Sequence, residues 1–125
     1  MRLRTLIAVC AAVASIGCAI FATQASANFS ECPSGWLCLW QNELGTGRIL
    51  QFHDSGSWQN LTEYGFNDQA SSAWNHTNKD AKLAWDINGG EPTRCLQPGE
   101  VLEVMPGNWN NNASSIRIFT TATVC

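Results

Sequence analysis

The chain has 125 residues, of which 45% are hydrophobic and 14% charged, with a formal net charge of −3 at pH 7. This length suffices for one domain with a modest core. Only seven residues are lysine or arginine, which argues against the basic patch that a nucleic-acid or anionic-membrane partner requires.

Residues 1–27 predict a secretory signal peptide. Arg2 and Arg4 precede an apolar segment that ends in Ala25-Ser26-Ala27, so we expect cleavage after Ala27. A membrane anchor is the alternative, but the apolar core is shorter than the roughly 20 residues that a bilayer needs. We therefore expect a secreted, extracellular protein whose mature part, residues 28–125, carries five basic and ten acidic residues, a net charge of −5.

The mature part keeps four of the six cysteines: Cys32, Cys38, Cys95 and Cys125. An even number in a short secreted chain predicts two disulfides rather than free thiols or a metal site. Sequence alone permits three pairings, of which the simplest joins Cys32 to Cys38 and Cys95 to Cys125. By loop entropy the first would contribute about 2 kcal/mol and the second about 3 to 4 kcal/mol.

Short strands separated by turn residues dominate the mature sequence. Apolar and polar residues alternate with a period of two, and β-branched and aromatic residues are frequent, as in half-buried strands. Glycine and proline pairs punctuate these segments. No segment predicts a long amphipathic helix, and the capping-box spacing of Asn60 and Glu63 predicts one helical turn. The predicted strands are 36–40, 48–52, 82–87, 100–105 and 116–124.

The sequence also repeats itself. NDQASS at 67–72 matches NNNASS at 110–115, 43 residues later. Trp40 matches Trp85 at an offset of 45, and RILQ at 48–51 matches RCLQ at 94–97 at an offset of 46. The repeat predicts a single domain of two copies, about 32–77 and 78–125, each too small to bury a core alone. We expect an all-β sandwich of two Greek-key motifs.

This sequence resembles two known protein families. A tryptophan strand, a glycine seven residues later, and an N/D-N/D-x-x-S-S segment resemble a βγ-crystallin motif. CPSGWLCLWQN, GRILQF and YGFNDQASS together are similar to the secreted bacterial peptidase inhibitors related to the Streptomyces metalloproteinase inhibitor. The resemblance runs from Cys32 to about Phe119. It implies a βγ-crystallin-like sandwich and a bacterial, secreted inhibitor.

The βγ-crystallin resemblance implies two calcium sites in the repeated segments. Amide, hydroxyl, carboxylate and carbonyl oxygens are suitable ligands for Ca²⁺, but only Asp68 carries a carboxylate, so binding should be weak, towards the millimolar range. The alternative is a purely structural turn stabilised by the amide and hydroxyl side chains. No cofactor is required in either case. The implied ligands are Asn67, Asp68, Gln69 and Ser71 in the first segment and Asn110, Asn111, Asn112 and Ser114 in the second.

The mature sequence gives little support to catalysis. It has two histidines, His53 and His76, and lacks both an HExxH zinc motif and a G-x-S-x-G elbow. His53 and Asp54 are adjacent, and adjacent residues of a strand point to opposite faces, which argues against a catalytic pair. We predict a non-enzyme in which both histidines are turn or surface residues.

Inhibition of a secreted protease follows from the resemblance. A disulfide-stapled β-domain could present one preorganised loop to a protease and lose little entropy on binding. The family's prototype carries its reactive bond in a short cysteine-closed loop of the second half, whereas Cys95 and Cys125 lie 30 residues apart here. The loops at 89–94 and 106–109 are the alternatives, with Arg94 as one contact residue. We expect a monomer.

Six tryptophans suggest other binding functions. Trp40 and Trp85 take matching positions in the repeat and are expected in the core. Trp58 and Trp109 follow turns and are the better candidates for contact with a protein or a carbohydrate. A βγ-crystallin module without inhibitory activity, binding calcium, carbohydrate or a protein, is therefore the alternative function, and a toxin of the same fold is a third.

Overall fold

The structure is a computed structural model that describes residues 28–125; the predicted signal peptide lies outside this range. Four short 3-10 turns connect strands and a fifth, Phe29–Glu31, precedes the first strand. No helix within residues 28–125 is long and apolar enough to cross a bilayer. The eight strands are β1 Trp36–Trp40, β2 Ile49–Phe52, β3 Gln59–Asn60, β4 Ser72–His76, β5 Ala81–Ala84, β6 Thr93–Leu96, β7 Val101–Leu102 and β8 Ser115–Ile118.

Two antiparallel sheets of four strands form a sandwich. The first sheet has the order β2-β1-β4-β7 and the second the order β3-β8-β5-β6. Each set of four consecutive strands therefore sends its third strand to the other sheet: β3 pairs with β8, and β7 pairs with β4. The predicted all-β sandwich of two Greek-key motifs is confirmed.

The core lies between the sheets and follows the alternation in the sequence. In β1 the inward positions are Leu37 and Leu39, and in β5 they are Ala81 and Leu83; all four are fully buried. Burying apolar surface in this way is the main stabilising contribution, at about 25 cal/mol per Å².

The chain termini cover the outer faces of the sheets, each with a disulfide. Cys32 is bonded to Cys38 of β1, and Cys95 of β6 is bonded to Cys125. The simplest pairing is therefore the one present. The carboxylate of Asp80, itself buried, also accepts hydrogen bonds from the N–H groups of Val124 and Cys125, at 2.7 and 2.8 Å.

Trp40 is buried on the outer face of the first sheet rather than between the sheets. It packs with the first disulfide, and its ring meets Phe29 edge to face at 5.1 Å. Trp85, predicted to be its counterpart, is only half-buried and meets Trp109 at 5.5 Å. The expectation of a core position holds for Trp40 and is wrong for Trp85.

Strand pairing explains that error. Trp40 lies opposite Ser72, and the equivalent serine, Ser115, lies opposite Ala84. Ala84, 44 residues after Trp40, is thus its structural counterpart. The same offset of 44 relates β2 to β6, so the match of RILQ with RCLQ at 46 does not reflect the fold.

Several strands are shorter than the alternation predicts. The strand expected at 82–87 is Ala81–Ala84 and is followed by a 3-10 turn, Ile87–Gly89. The segment expected at 116–124 is a strand only over Ser115–Ile118, and residues 120–125 are exposed. The predicted 100–105 strand pairs only at Val101–Leu102. In each case the alternation of apolar and polar residues in the sequence continues beyond the end of the strand.

Candidate functional site

The second serine of each repeated segment holds a hairpin. Ser72 is fully buried; its hydroxyl accepts the N–H of Gly45 at 3.0 Å and donates to the carbonyl of Asn42 at 2.7 Å. Ser115 makes the same two bonds to Gly89 and Asp86, at 3.0 and 2.7 Å. Each hydroxyl thus satisfies two backbone groups of the turn that joins the first two strands of its motif.

The first serine of each segment reaches across to the other segment. Ser71 donates to Oδ1 of Asn111 at 3.0 Å, and Ser114 donates to Oδ1 of Asp68 at 3.1 Å. Asp68 and Asn111 both have left-handed backbones, with φ of 58° and 60°. Aspartate and asparagine tolerate that conformation better than most residues.

Backbone bonds repeat this cross-connection. The N–H of Asp68 donates to the carbonyl of Ala113, and the N–H of Asn111 donates to the carbonyl of Ala70, both at 3.0 Å. The two segments therefore bind each other as a symmetric pair. These hydrogen bonds join the two motifs, so the repeated segments have a structural role that does not depend on a ligand.

A cavity of about 330 Å³ opens where the two segments meet. Among the implied calcium ligands, it brings together Asp68, Gln69, Ser71 and Asn111. The first three belong to the first segment and Asn111 to the second, so both segments contribute to the same cavity. Asn67, Asn110, Asn112 and Ser114 lie outside this cavity. The amide of Asn112 instead donates to the carbonyl of Asn108 at 2.6 Å. The lining residues are Gln41, Asn42, Asp68, Gln69, Ser71 and Asn111.

The chemistry of this cavity suits a weakly held cation. All six lining residues carry side-chain oxygens, which Ca²⁺ prefers, yet Asp68 supplies the only carboxylate. That carboxylate already accepts from Ser114 and, through Oδ2, from the amide of Asn67 at 3.1 Å. Oδ1 of Asn67 is buried without a hydrogen-bond partner. One carboxylate and several neutral oxygens fit Ca²⁺, at low affinity.

The second and larger cavity, about 630 Å³, contains two of the predicted contact residues. Arg94 and Trp109 come from the two segments singled out in the sequence, and both line this cavity. The segment 89–94 is expected from the sequence to be a loop, but its last two residues, Thr93 and Arg94, belong to β6. We call this cavity the β6 groove, because three consecutive residues of β6 contribute to it. Its lining residues are Thr93, Arg94, Cys95, Gln97, Glu100, Trp109 and Cys125.

Arg94 is held in the β6 groove by a partly exposed ion pair. Its Nη2 lies 3.2 Å from Oε2 of Glu100, with side chains 33% and 30% exposed. The other carboxylate oxygen of Glu100 accepts the N–H of Gln97 at 2.9 Å. Such a pair contributes about 0–1 kcal/mol, so Arg94 can exchange Glu100 for another acceptor at little cost.

Trp58 does not join Arg94 and Trp109. It is half-buried and packs directly on Gly89, so close that a Cβ at that glycine would clash with the indole. Trp109 is also half-buried, and its ring and that of Trp85 are T-shaped to each other. Both candidates for partner contact are thus half-buried, and of the two only Trp109 lines the β6 groove.

Of the two histidines, His53 is an exposed residue outside the strands, as predicted, whereas His76 is not a turn or surface residue. His53 follows β2 and is not in a strand, so its Nδ1 does approach Oδ1 of Asp54, at 3.1 Å. The ring also stacks on Trp36 at 4.3 Å, and no hydroxyl among residues 28–125 bonds to it. His76 ends β4, stacks on Trp74 at 3.8 Å, and its Nδ1 is 3.0 Å from the carbonyl of Cys32. His76 is thus a half-buried strand residue.

Several lining residues had no distinct signal in the sequence. Gln41 and Asn42 follow β1 directly, and only their position after a strand end could have indicated them. Glu100 and Cys125 reach the β6 groove from a turn and from the C-terminal segment. Their proximity depends on the return of the chain through the second motif, which local spacing does not encode.

Structures of known proteins support the fold assignment. A protein solved in work on the evolution of the eye-lens βγ-crystallin domain fold is 20% identical, with a TM-score of 0.63, covering 70% of this chain and 88% of that chain. A βγ-crystallin from Ciona intestinalis is 25% identical, with a TM-score of 0.58 and coverage of 67% and 99%. A βγ-crystallin domain from Flavobacterium johnsoniae is 22% identical, with a TM-score of 0.58 and coverage of 71% and 97%.

The sequence itself identifies the family. No curated protein matches it. The model of peptidase inhibitor family I36 matches residues 25–96, more than half of the chain, and this match includes β1 to β6. With its two Greek keys and two disulfides, the chain belongs to peptidase inhibitor family I36 and has a βγ-crystallin-like fold.

Proposed function

We propose that this protein is secreted and inhibits an extracellular protease, with a metalloprotease as the first candidate target. The observation that carries this proposal is that Arg94 of β6 and Trp109 of the 3-10 turn Gly107–Trp109 line one groove. Membership of a peptidase inhibitor family supports the inhibitory role. In this proposal the protein acts by binding and performs no catalysis itself.

The way the groove is held supports binding with little loss of entropy. Arg94 and Cys95 belong to β6, which is paired along its length with β5. The disulfide from Cys95 to Cys125 adds a covalent link on the same strand. Fixing a binding surface before the partner arrives reduces the ordering cost of association. This arrangement offers the rigidity that the prototype obtains from a short cysteine-closed loop.

An inhibition titration tests the proposal. Purified, oxidised protein of residues 28–125 is added to a thermolysin-like metalloprotease, a subtilisin-like protease and a trypsin-like protease, and the residual activity is measured. We expect stoichiometric loss of activity for the metalloprotease, with the inhibitor chain intact afterwards. Full activity of all three enzymes at excess protein would contradict the proposal.

A second function, weak calcium binding, is favoured by the cavity between the repeated segments. Its lining oxygens, from residues such as Asp68, Ser71 and Asn111, match the preference of Ca²⁺. A cation there would link the two motifs. Binding would then stabilise the fold in proportion to the calcium concentration relative to Kd.

Calorimetry on chelator-treated protein tests calcium binding. We expect heat of binding in the millimolar range, and Asp68→Asn should weaken it, because this substitution removes the only carboxylate while retaining an acceptor for Ser114. Asp54→Asn, a change at an exposed carboxylate outside the cavity, is the matched control. The absence of heat at several millimolar calcium would refute this function.

A further inference from the structure

We propose that the free edge of β6 accepts an extended segment of the partner protease as an additional β-strand. This inference rests on the proposed function, because the segment is taken to belong to the protease. It specifies how the β6 groove is used: main-chain hydrogen bonds along the strand edge, with Trp109 and Arg94 beside them.

The composition of the lining shows that the β6 groove runs along a strand edge. Successive residues of a strand point to opposite faces of the sheet. Arg94 lies opposite the inward residue Leu83, whereas Thr93 and Cys95 lie opposite residues of the other face. A cavity that touches all three must lie along the side of β6, and β5 occupies the other side.

The register gives the direction of the backbone groups along this edge. The N–H of Trp85 donates to the carbonyl of Pro92 at 2.9 Å, which makes residues 85 and 92 a hydrogen-bonded pair. In an antiparallel ladder such pairs alternate, so Arg94 and Leu96 bond to β5. The N–H and C=O groups of Thr93 and Cys95 therefore point away from β5, towards the groove.

These outward groups have no partner among the described residues. No backbone or side-chain hydrogen bond within residues 28–125 involves them outside the β5 ladder. Unpaired edge groups of this kind are a template for another strand, and several protein families bind extended peptides in this way. Two residues spaced by one, Thr93 and Cys95, can exchange up to four main-chain bonds with an added strand.

The walls of the groove suit such a strand. On one side, the half-buried ring of Trp109 lines the groove and offers apolar surface. Arg94 can donate to a carbonyl or carboxylate of the partner, because its ion pair with Glu100 is partly exposed. The partner segment is thus extended, with an apolar side chain and an acidic or carbonyl acceptor on the same face.

The other sheet edges are less suitable. β3 and β7 have only two residues each. β2 has four, but the guanidinium of Arg48, at its start, bonds the carbonyls of Tyr64 and Gly65, and Tyr64 packs on Phe52 at 5.2 Å. The neighbouring turn therefore occupies space beside β2, whereas a cavity accompanies β6.

Amide hydrogen exchange tests the inference directly. In ¹⁵N-labelled, oxidised protein of residues 28–125, we expect fast exchange at Thr93 and Cys95 and slow exchange at Arg94 and Leu96. In the complex with the thermolysin-like metalloprotease, Thr93 and Cys95 should become protected by at least tenfold. The exchange rates are read by NMR after the complex has been dissociated.

A pair of proline variants provides the second test. Thr93→Pro removes an outward N–H without removing a bond to β5, and proline is tolerated on edge strands. Gln51→Pro is the matched control on β2: because Gln41 N–H bonds the carbonyl of Arg48, the N–H of Gln51 also points outward. We expect Thr93→Pro to weaken binding of the protease about tenfold, and Gln51→Pro to leave it unchanged.

The outcomes separate this inference from the proposed function. A complex that protects Thr93 and Cys95 supports both. A complex in which the two amides exchange as they do in the free protein overturns the strand-addition inference and leaves inhibition in place. The absence of a complex with any of the three proteases overturns the proposed function and this inference with it. If Thr93→Pro fails to fold, the exchange pattern of the unmodified protein decides.

Discussion

At the scale of single residues, the repeated phrase assigns different roles to its two serines. The sequence predicts a repeated turn, but it does not indicate that Ser71 pairs with Asn111 of the other copy while Ser72 holds a hairpin within its own copy. Such pairing depends on which segments face each other. That information lies in the packing of the two motifs and not in the spacing of either phrase.

The first prediction concerns these serines. Ser72→Ala should lower the free energy of unfolding by about 2 kcal/mol, since it leaves the buried N–H of Gly45 and the partly buried carbonyl of Asn42 without the serine hydroxyl. Ser71→Ala should cost about 0.5–1 kcal/mol, because its acceptor belongs to the exposed Asn111. Urea denaturation measures both. Equal losses in the two variants would contradict the assignment, and Ser115→Ala against Ser114→Ala repeats the test in the second copy.

At the scale of elements, turn geometry decides which strands form and how the copies align. The sequence predicts the positions of β1 and β2 to within one residue. Alignment by sequence pairs the similar segments RILQ and RCLQ, but the strand register does not support this match, so the two copies are misaligned there. The sequence also predicts a capping role for Asn60, whose side chain instead bonds Asn88, with Asn88 N–H donating to its Oδ1 at 2.7 Å.

The second prediction compares two glycines with similar backbones. Gly89 and Gly99 have φ of 78° and 80°, but a Cβ at Gly89 meets Trp58 whereas at Gly99 it meets nothing within 4 Å. Gly99→Ala should therefore cost about 1 kcal/mol, the conformational contribution alone. Gly89→Ala should cost about 2–4 kcal/mol, because displacement of the indole is added.

Thermal or urea unfolding of the two glycine variants checks this comparison. Near-ultraviolet circular dichroism of Gly89→Ala should also change, since Trp58 must move. If the two variants were equally stable, the close packing of Trp58 on Gly89 would be refuted.

At the scale of the whole molecule, the fold is more predictable than the binding surface. Two repeats of alternating residues require a second layer to bury their apolar faces, so a sandwich follows from the sequence. The β6 groove does not follow, because it collects residues from Thr93 to Cys125 that meet only after the second motif closes. Arg94 and Trp109 are each predicted as contact residues from their own segments, and nothing in either segment indicates that the two are neighbours.

The third prediction concerns the two disulfides. Replacing both Cys95 and Cys125 with alanine should lower the free energy of unfolding by about 3–4 kcal/mol, against about 2 kcal/mol for Cys32 and Cys38, because the second bridge closes the longer loop. Denaturant titration of the two double variants checks the order. A larger loss for the shorter loop would contradict it.

The most direct test of the central claim is an inhibition titration of three proteins against the thermolysin-like metalloprotease. The unmodified protein should inhibit it with a stoichiometry of one to one, and Trp109→Ala should weaken inhibition about tenfold or more, as expected for a buried aromatic contact. Val104→Ala, a truncation of an exposed apolar residue outside the groove, should inhibit as the unmodified protein does. Equal inhibition by all three proteins would contradict the assignment of the groove, and the absence of inhibition by any of them would contradict the proposed function.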